Sequence, residues 1–400
     1  VTSFSHNGGT VIFTGTGTIY SANTYSNVTI NSSGTVTANA AVTITGNLNR
    51  SAGTLAMGGN TLNVAGNVSY TAGSLSSTGT ITLNGSSGAQ SVNLTGSVIQ
   101  NLVVNNTSGT PTVTLTNTAA FTWGGDLTIT AGTLVLANYS QTIGGNVSGA
   151  GTLDASAISG VNTLTVGGYM GTTGLALGTF SAPTGTSVSV GTHWNVTSFS
   201  HNGGTVIFTG TGTIYSANTY SNVTVNSSGI VTLNNDVTQR GSSLTITSGV
   251  LNLNGNGWIM DSGSGTPSSD TFTGVNGTLT LQVGTELRCG NLDSQSSYTI
   301  NNAGTNTITA NGNVTIAGTF NTPNNSTLVM TGNGKTLVAT VQIGSLHIGT
   351  TTTGSPGLTA TVSLGSNIIL AGHMEINLEG SLDVASYEIT ITGDYWINRG

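Results

Sequence analysis

Charge is the first thing this 400-residue chain has little of. Charged residues make up 4% of it, against about 25% in a typical soluble protein. Twelve acids and five bases give a formal net charge of −7. The bases are Arg50, Arg240, Arg288, Lys335 and Arg399. So few cations cannot neutralise a row of phosphates, which argues against a nucleic-acid partner.

Cysteine and long apolar runs are also scarce. Cys289 is the one cysteine, so an internal disulfide framework is excluded. No apolar stretch reaches the length of a membrane span, and no membrane-spanning segment is expected. The chain starts at Val1 without an initiator methionine or a signal peptide. We therefore expect it to be a segment of a longer chain or a processed product.

What the chain has in abundance is glycine, threonine, serine and asparagine. Glycine alone supplies 60 of the 400 residues, about twice the usual share. All four residue types form helices poorly, and no window carries a sustained apolar stripe of helical period. Valine, isoleucine and leucine instead alternate with polar residues, as in LTIT at Leu127–Thr130. Period-two alternation is typical of strands with one buried face, so the composition predicts an all-β fold.

A long segment occurs twice without change. The sequence VTSFSHNGGTVIFTGTGTIYSANTYSNVT spans Val1–Thr29 and returns at Val196–Thr224. The offset of 195 residues divides the chain into residues 1–195 and residues 196–400, which we interpret as two repeat units of a longer array. An exact copy of a segment with almost no reactive side chain favours a building block over an enzyme.

Shorter repeats inside the units indicate the fold. GNLNRSAGTLAMGGNTLNVAGNV at Gly46–Val68 matches GDLTITAGTLVLANYSQTIGGNV at Gly125–Val147, and in both the opening Gly-Asn or Gly-Asp pair returns after 20 residues. A related theme starts at Gly372. Three short strands fit in such a repeat, which is one coil of a β-solenoid (β-helix). The alternative is a tandem array of β-sandwiches, which would repeat every 90–100 residues or so.

These motifs resemble a known class of bacterial proteins. GTVIFTGTGT at Gly9–Thr18, the YSNVTI strand at Tyr25–Ile30 and the GNL…AGTL…GNV coil are similar to the β-strand-repeat regions of giant surface proteins of the filamentous-haemagglutinin and autotransporter type. The resemblance covers nearly the whole chain. It implies a right-handed β-helix, an extracellular or cell-surface location and a structural or adhesive role. It transfers no functional residue.

The sequence assigns no catalytic residue, no cofactor and no metal ligand. Its densest acid cluster is formed by Glu375, Glu379, Asp383 and Glu388. We interpret this cluster as a solvated edge, with a calcium site as the alternative, although the nonapeptide of calcium-binding β-rolls is absent.

The histidines show no metal-binding spacing. His6 and His201 occupy the same repeat position in SHNGG, which predicts a polar turn, and His193, His347 and His373 are scattered along the sequence.

The other side chains that could have a function, one cysteine and several aromatic residues, are predicted to lie mainly in the core. Cys289 is predicted to be a buried small hydrophobe, with a reactive or intermolecularly bridged thiol as the alternative. Phe13 and Phe208 alternate with valines and are predicted to fill the core. Core or corner packing is favoured over a sugar-stacking ladder for four repeat tyrosines. They are Tyr20, Tyr25, Tyr215 and Tyr220.

Three functions are compatible with this composition to different degrees. The favoured one is a non-enzymatic structural module of an extracellular filament, stalk or giant adhesin, with itself as the partner through axial stacking. The alternative is a module whose Thr-rich face binds glycan, mineral or ice, as the T-x-T spacing at Val113–Thr118 would allow. A polysaccharide-cleaving enzyme is disfavoured because no acid and base constellation is evident.

Overall fold

The computed structural model describes residues 4–108, 112–241, 243–261, 270–349, 360–377, 380–393 and 396–398. It is an all-β structure of stacked parallel strands with about 20 residues per turn, a β-solenoid. The chain divides into two compact units, Val1–Gly204 and Thr205–Gly400. The verbatim sequence repeat starts at Val196, so its first nine residues belong to unit 1.

Most strands in unit 1 are short, because glycine-rich and asparagine-rich corners interrupt the alternating segments. The first eleven are β1 Thr10–Phe13, β2 Gly17–Ile19, β3 Asn23–Tyr25, β4 Asn27–Ala38, β5 Val42–Ile44, β6 Leu48–Gly58, β7 Leu62–Val64, β8 Val68–Tyr70, β9 Ser74–Leu83, β10 Gln90–Val92 and β11 Val98–Asn105. The next ten are β12 Thr112–Leu115, β13 Phe121–Trp123, β14 Leu127–Ala131, β15 Thr133–Val135, β16 Gln141–Ile143, β17 Val147–Asp154, β18 Leu164–Val166, β19 Leu177–Ser181, β20 Ser187–Val190 and β21 Val196–Ser200.

Unit 2 is built in the same way. Its first twelve strands are β22 Thr205–Phe208, β23 Gly212–Ile214, β24 Thr219–Tyr220, β25 Asn222–Leu233, β26 Val237–Gln239, β27 Ser243–Asn252, β28 Trp258–Met260, β29 Thr271–Gly274, β30 Gly277–Leu281, β31 Glu286–Cys289, β32 Asn291–Ser294 and β33 Tyr298–Asn302. The other twelve are β34 Asn306–Ala310, β35 Val314–Ile316, β36 Thr319–Asn321, β37 Ser326–Met330, β38 Lys335–Ala339, β39 Ser345–Ile348, β40 Ala360–Leu364, β41 Ile368–Leu370, β42 Met374–Ile376, β43 Gly380–Asp383, β44 Ile389–Ile391 and β45 Trp396–Asn398. A single 3₁₀ turn, Pro323–Asn325, is the helical element of the described residues.

Register between coils confirms the solenoid. Val28 of β4 pairs with Leu48 of β6, which pairs with Val68 of β8, so each step is 20 residues. Every strand pairing described is parallel, and one isolated bridge, Thr172 with Leu175, is antiparallel. The β-sandwich alternative is wrong, because sandwiches are built from antiparallel strands.

Alternating side chains form the core of each unit. In β4, Val28, Ile30 and Val36 are buried while Thr29 and Thr37 lie on the opposite face. Trp123 in unit 1 and Trp258 in unit 2 are fully buried. One coil cannot bury this apolar face alone, so the stability of each coil depends on its neighbours.

A ladder of side-chain hydrogen bonds explains the recurring Gly-Asn pair. The backbone N–H of Asn47 donates to Oδ1 of Asn27 at 2.9 Å, and the N–H of Asn67 donates to Oδ1 of Asn47 at 2.8 Å. The glycine before each asparagine packs tightly on the preceding coil. A Cβ at Gly66 would lie 2.4 Å from the carbonyl oxygen of Gly46, a distance that real Cβ atoms do not show.

The ladder recurs elsewhere in both units. In unit 1 the N–H of Asn146 donates to Oδ1 of Asp126 at 2.8 Å, and in unit 2 the N–H of Asn313 donates to Oδ1 of Asn291 at 2.9 Å. We call this set of contacts, from an asparagine or aspartate oxygen to the N–H one coil later, the amide ladder.

The described residues include no helix that is both long and apolar enough to cross a membrane.

Candidate metal centre

Two neighbouring strands of unit 2 bring a histidine and an acid side by side. Strands β39 and β42 pair in parallel, and His347 is the register partner of Glu375. Leu346 and Ile348 flank His347 and are fully buried. Alternation therefore places the His347 side chain on the opposite, outward face of the sheet, together with that of Glu375.

His373 reaches the same place from the residue before β42. Its backbone N–H donates to Oγ of Ser345 at 3.2 Å. This is the contact of the amide ladder, with a serine hydroxyl in place of the asparagine oxygen. Nδ1 of the His373 ring lies 3.1 Å from the same Oγ, so Ser345 holds both the backbone and the ring of His373.

The three side chains converge closely. Nε2 of His347 lies 2.8 Å from Nε2 of His373 and 3.7 Å from Oε2 of Glu375. The two imidazole rings have centroids 5.0 Å apart. The side chains of His347 and Glu375 are 15% and 11% exposed, so the cluster is largely shielded but open to solvent.

Two imidazole nitrogens and a carboxylate oxygen form a recognisable donor set. All three ligand atoms lie within 4.8 Å of one another. Imidazole suits zinc, copper, nickel and iron, and zinc sites with two histidines and one glutamate keep a fourth position open. We define His347, His373 and Glu375 as the His-His-Glu cluster.

The structure corrects one expectation about the acids. Glu375 is buried, so it does not belong to a solvated edge. The reason is that Glu375 lies against His347 on the adjacent strand. Asp383 and Glu388 are exposed, as predicted, and Glu379 lies outside the described residues.

The histidines are not all scattered in space. His347 and His373 meet although 26 residues separate them, whereas His193 is half-buried before the fully buried Trp194 of unit 1. His6 and His201 form the predicted polar turns. In each turn Nδ1 accepts a hydrogen bond at 3.1 Å, from the N–H of Gly8 or of Gly203.

Cys289 is fully buried in β31, which confirms its assignment as a small core hydrophobe. Burial raises the pKa of its thiol to about 12. A thiolate is therefore disfavoured at neutral pH, and the alternative of a reactive or bridging thiol has no support from its surroundings.

The aromatic residues divide between core and surface. Phe208 is fully buried and Phe13 is half-buried. Tyr25 and Tyr220 are buried at 6% and 0% exposure, so a sugar-stacking ladder that includes them is wrong. Tyr20 is 77% exposed.

Arg50 is a cation buried inside the solenoid, a position that no sequence pattern predicted. It is 1% exposed, its guanidinium donates to Oγ of Ser97 at 2.6 Å, and it stacks 5.0 Å from the ring centre of Tyr70. Burial lowers the pKa of Arg50 to about 10. It therefore stays charged at neutral pH, held by hydroxyl and carbonyl oxygens.

Sequence reasoning missed the His-His-Glu cluster, although a signal existed. GSLHI at Gly344–Ile348 and GHMEI at Gly372–Ile376 occupy the same place in successive coils. Aligning the two segments places Ser345 beside His373 and His347 beside Glu375. The step is 28 residues rather than 20, so no short spacing pattern reveals it.

Comparison of the chain with protein families, with curated proteins and with solved structures gave no match.

Proposed function

We propose that the chain is a non-enzymatic structural repeat module of an extracellular filament, stalk or giant adhesin. The observation that supports this most is the continuity of the coil-to-coil hydrogen bonds. Backbone pairing runs through each unit, and the amide ladder adds a side-chain bond to it. Such a repeated connection resists extension along the stack and uses no reactive side chain.

Self-association is the second part of the proposal. Strand β1 has one described neighbour, β4, and its Ile12 is 57% exposed. Nearby, Phe4 and Tyr20 are 41% and 77% exposed. An apolar strand edge of this kind pairs readily with another strand, either of a preceding coil of the same chain or of a second copy, and the low content of charged residues leaves little repulsion to prevent it.

Electron microscopy of the dilute protein, together with light scattering over a concentration series, tests this proposal. We expect ordered assemblies with a repeat of about 4.8 Å along the direction in which the coils stack, and a mass that rises with concentration. A chain that stays monomeric at high concentration would contradict self-association. Turnover of a polysaccharide would contradict a non-enzymatic role.

A matched pair of variants locates the contact. Ile12→Lys places a charge on the exposed edge strand and should abolish the rise in mass. Val161→Lys changes a turn residue that is 94% exposed and should leave the rise unchanged. If both substitutions reduced the rise in mass equally, added charge would act wherever it lies, and β1 would not be the specific contact.

A surface-binding role is the second candidate, and one observation favours it. Thr112, Thr133, Thr152 and Thr179 are register partners and form a half-exposed column across successive coils of unit 1. The column two residues along is mixed, since Val135 and Asp154 occupy it. Ice would require both columns to be threonine, so a glycan is the better ligand. A glycan array with Thr152→Lys as the non-binding control tests this role.

A further inference from the structure

We propose that the His-His-Glu cluster binds one Zn²⁺ ion, with Nε2 of His347, Nε2 of His373 and the carboxylate of Glu375 as ligands. The ion would join two successive coils of unit 2. The inference is independent of the filament proposal, and it replaces the sequence-based expectation that the chain holds no metal ligand.

Distances between the donor atoms carry the argument. In a tetrahedral zinc site with bonds of 2.0–2.2 Å, two ligand atoms lie about 3.3 Å apart. The observed separations of 2.8 Å and 3.7 Å fall on either side of that value. The third separation, between Nε2 of His373 and the Glu375 carboxylate, is at most 4.8 Å. Small rotations of the three side chains would bring the donor atoms to bonding distance of one ion without a change in the pairing of the strands.

Ser345 supplies the support that a metal-binding histidine usually has. Coordination through Nε2 requires the proton of His373 to be on Nδ1, and Oγ of Ser345 lies 3.1 Å from Nδ1 to accept it. A second contact from a hydroxyl or carbonyl to the outer ring nitrogen fixes the ring and is a common feature of histidine metal sites.

Gly372 leaves room for the Ser345 hydroxyl because it has no Cβ. A Cβ at Gly372 would lie 2.2 Å from Oγ of Ser345. The hydroxyl therefore occupies space that only glycine leaves free. Sequence, register and hydrogen bonding converge on one orientation of His373.

The donor set selects the kind of ion. Calcium and magnesium take oxygen ligands, and two imidazoles suit neither of them. Zinc accepts two nitrogens and one oxygen, and three protein ligands leave its fourth position to water or to a donor from another molecule. Copper, nickel and cobalt would compete by the same chemistry.

The bound ion would link two successive coils and stabilise the fold. Only the folded chain assembles residues 347, 373 and 375, so binding stabilises the folded state. The site lies where the register step between neighbouring strands is 28 residues, longer than the usual step of about 20 residues.

Equilibrium dialysis of the full chain against Zn²⁺, with the metal content measured by mass spectrometry, is the direct test. We expect one tightly bound ion per chain, a Zn²⁺-dependent rise in the unfolding temperature, and no such rise with Mg²⁺ or Ca²⁺. Co²⁺ should give the intense visible absorption of a four-coordinate site.

Conservative variants separate binding from folding. His347→Gln, His373→Gln and Glu375→Gln should each lose the bound ion and the Co²⁺ spectrum while keeping the circular dichroism of the parent. Ser345→Ala should weaken binding about tenfold. The double variant His6→Gln/His201→Gln removes the two turn histidines and should bind Zn²⁺ like the parent.

Two results would overturn the proposal. One is a parent chain that binds no zinc at dialysis equilibrium. The other is zinc binding that survives in His347→Gln and Glu375→Gln but is lost in His6→Gln/His201→Gln, which would assign the ion to the turns.

Discussion

The verbatim repeat allows one sequence to be compared in two places. In the first copy Asn7 has φ of 44°, and in the second Asn202 has φ of 46°. Ser5 donates to Oδ1 of Asn7 at 2.9 Å, and Ser200 donates to Oδ1 of Asn202 at 3.0 Å. The two turns are thus the same to within a tenth of an ångström in this contact. Local sequence sets the backbone of the turn.

Burial differs between the copies. Phe4 is 41% exposed and contacts Tyr25 with ring centroids 5.4 Å apart, whereas the equivalent Phe199 is half-buried and stacks on Phe180 of β19 with ring centroids 5.7 Å apart. Ile12 is 57% exposed, whereas Ile207 is half-buried. The same residues therefore contribute different amounts of buried area, and it is stacking rather than sequence that sets this difference.

The largest expected effect comes from the phenylalanine of the repeated TVIF strand. Phe208→Ala should lower the free energy of unfolding by about 3–5 kcal/mol, because the side chain is fully buried. Phe13→Ala, at the half-buried equivalent, should cost about 1–2 kcal/mol. Urea unfolding of both variants checks the difference. Equal losses would show that the first copy is also covered in solution.

A buried tyrosine of the second copy should make the folded chain less stable at alkaline pH. Tyr220 is fully buried and stacks on Trp258 at 6.4 Å, and burial raises the pKa of its phenol well above 10. Above the unfolded pKa of about 10, the unfolded chain releases this proton and the folded chain keeps it. Through this one group, stability should not change below that pH and should fall above it by about 1.4 kcal/mol per pH unit.

Tyr220→Phe should remove part of this loss, and Tyr298→Phe should act in the same way, because burial also raises the pKa of Tyr298. Unfolding midpoints between neutral and strongly alkaline pH measure the slope. Midpoints of the parent that do not change over this range would mean that the phenols are open to solvent.

A smaller effect is expected at the turn asparagines. Nδ2 of Asn202 donates to the carbonyl oxygen of Ala182 at 2.7 Å, a bond to the preceding coil. Asn202→Gly keeps the positive φ but loses this bond, so it should cost about 1 kcal/mol. Asn7→Gly should change stability by a few tenths at most. Thermal unfolding of both variants measures the two losses of stability. A larger loss for Asn7→Gly than for Asn202→Gly would contradict the role of the bond to the preceding coil.

The smallest expected difference is at the turn histidines. His6→Ala and His201→Ala each remove one acceptor of a glycine N–H within the same turn. Both should cost about 0.5–1 kcal/mol, and by equal amounts. Unequal losses, measured by urea unfolding, would show that the turns are not independent of their surroundings.

The β-solenoid could be predicted from the sequence because the patterns that specify it are local and occur many times. The Gly-Asn pair at Gly46 recurs after 20 residues at Gly66, because glycine is needed for close packing and asparagine forms the amide ladder. Alternation identified the core strands. Burial of Arg50 could not be foreseen, because its acceptors Asn93, Thr95 and Ser97 lie two coils away.

The His-His-Glu cluster escaped prediction for a related reason. Its members become neighbours only through the register of β39 with β42, after a coil of irregular length. Counting residues between His347 and His373 gives no familiar spacing, and the even spacing of Glu375 and Asp383 says nothing about which neighbouring strand lies against each.

The amide ladder also gives the solenoid a chemical direction. Each rung runs from an acceptor oxygen in one coil to a donor N–H in the next, as from Asn27 to Asn47 and from Asn47 to Asn67. Two opposite edges of any coil are therefore unlike, one offering oxygens and the other offering protons. Copies that join by continuing the ladder must do so head to tail, by translation rather than by a two-fold axis. An assembly of this kind has no closed size, and its two tips would grow at different rates.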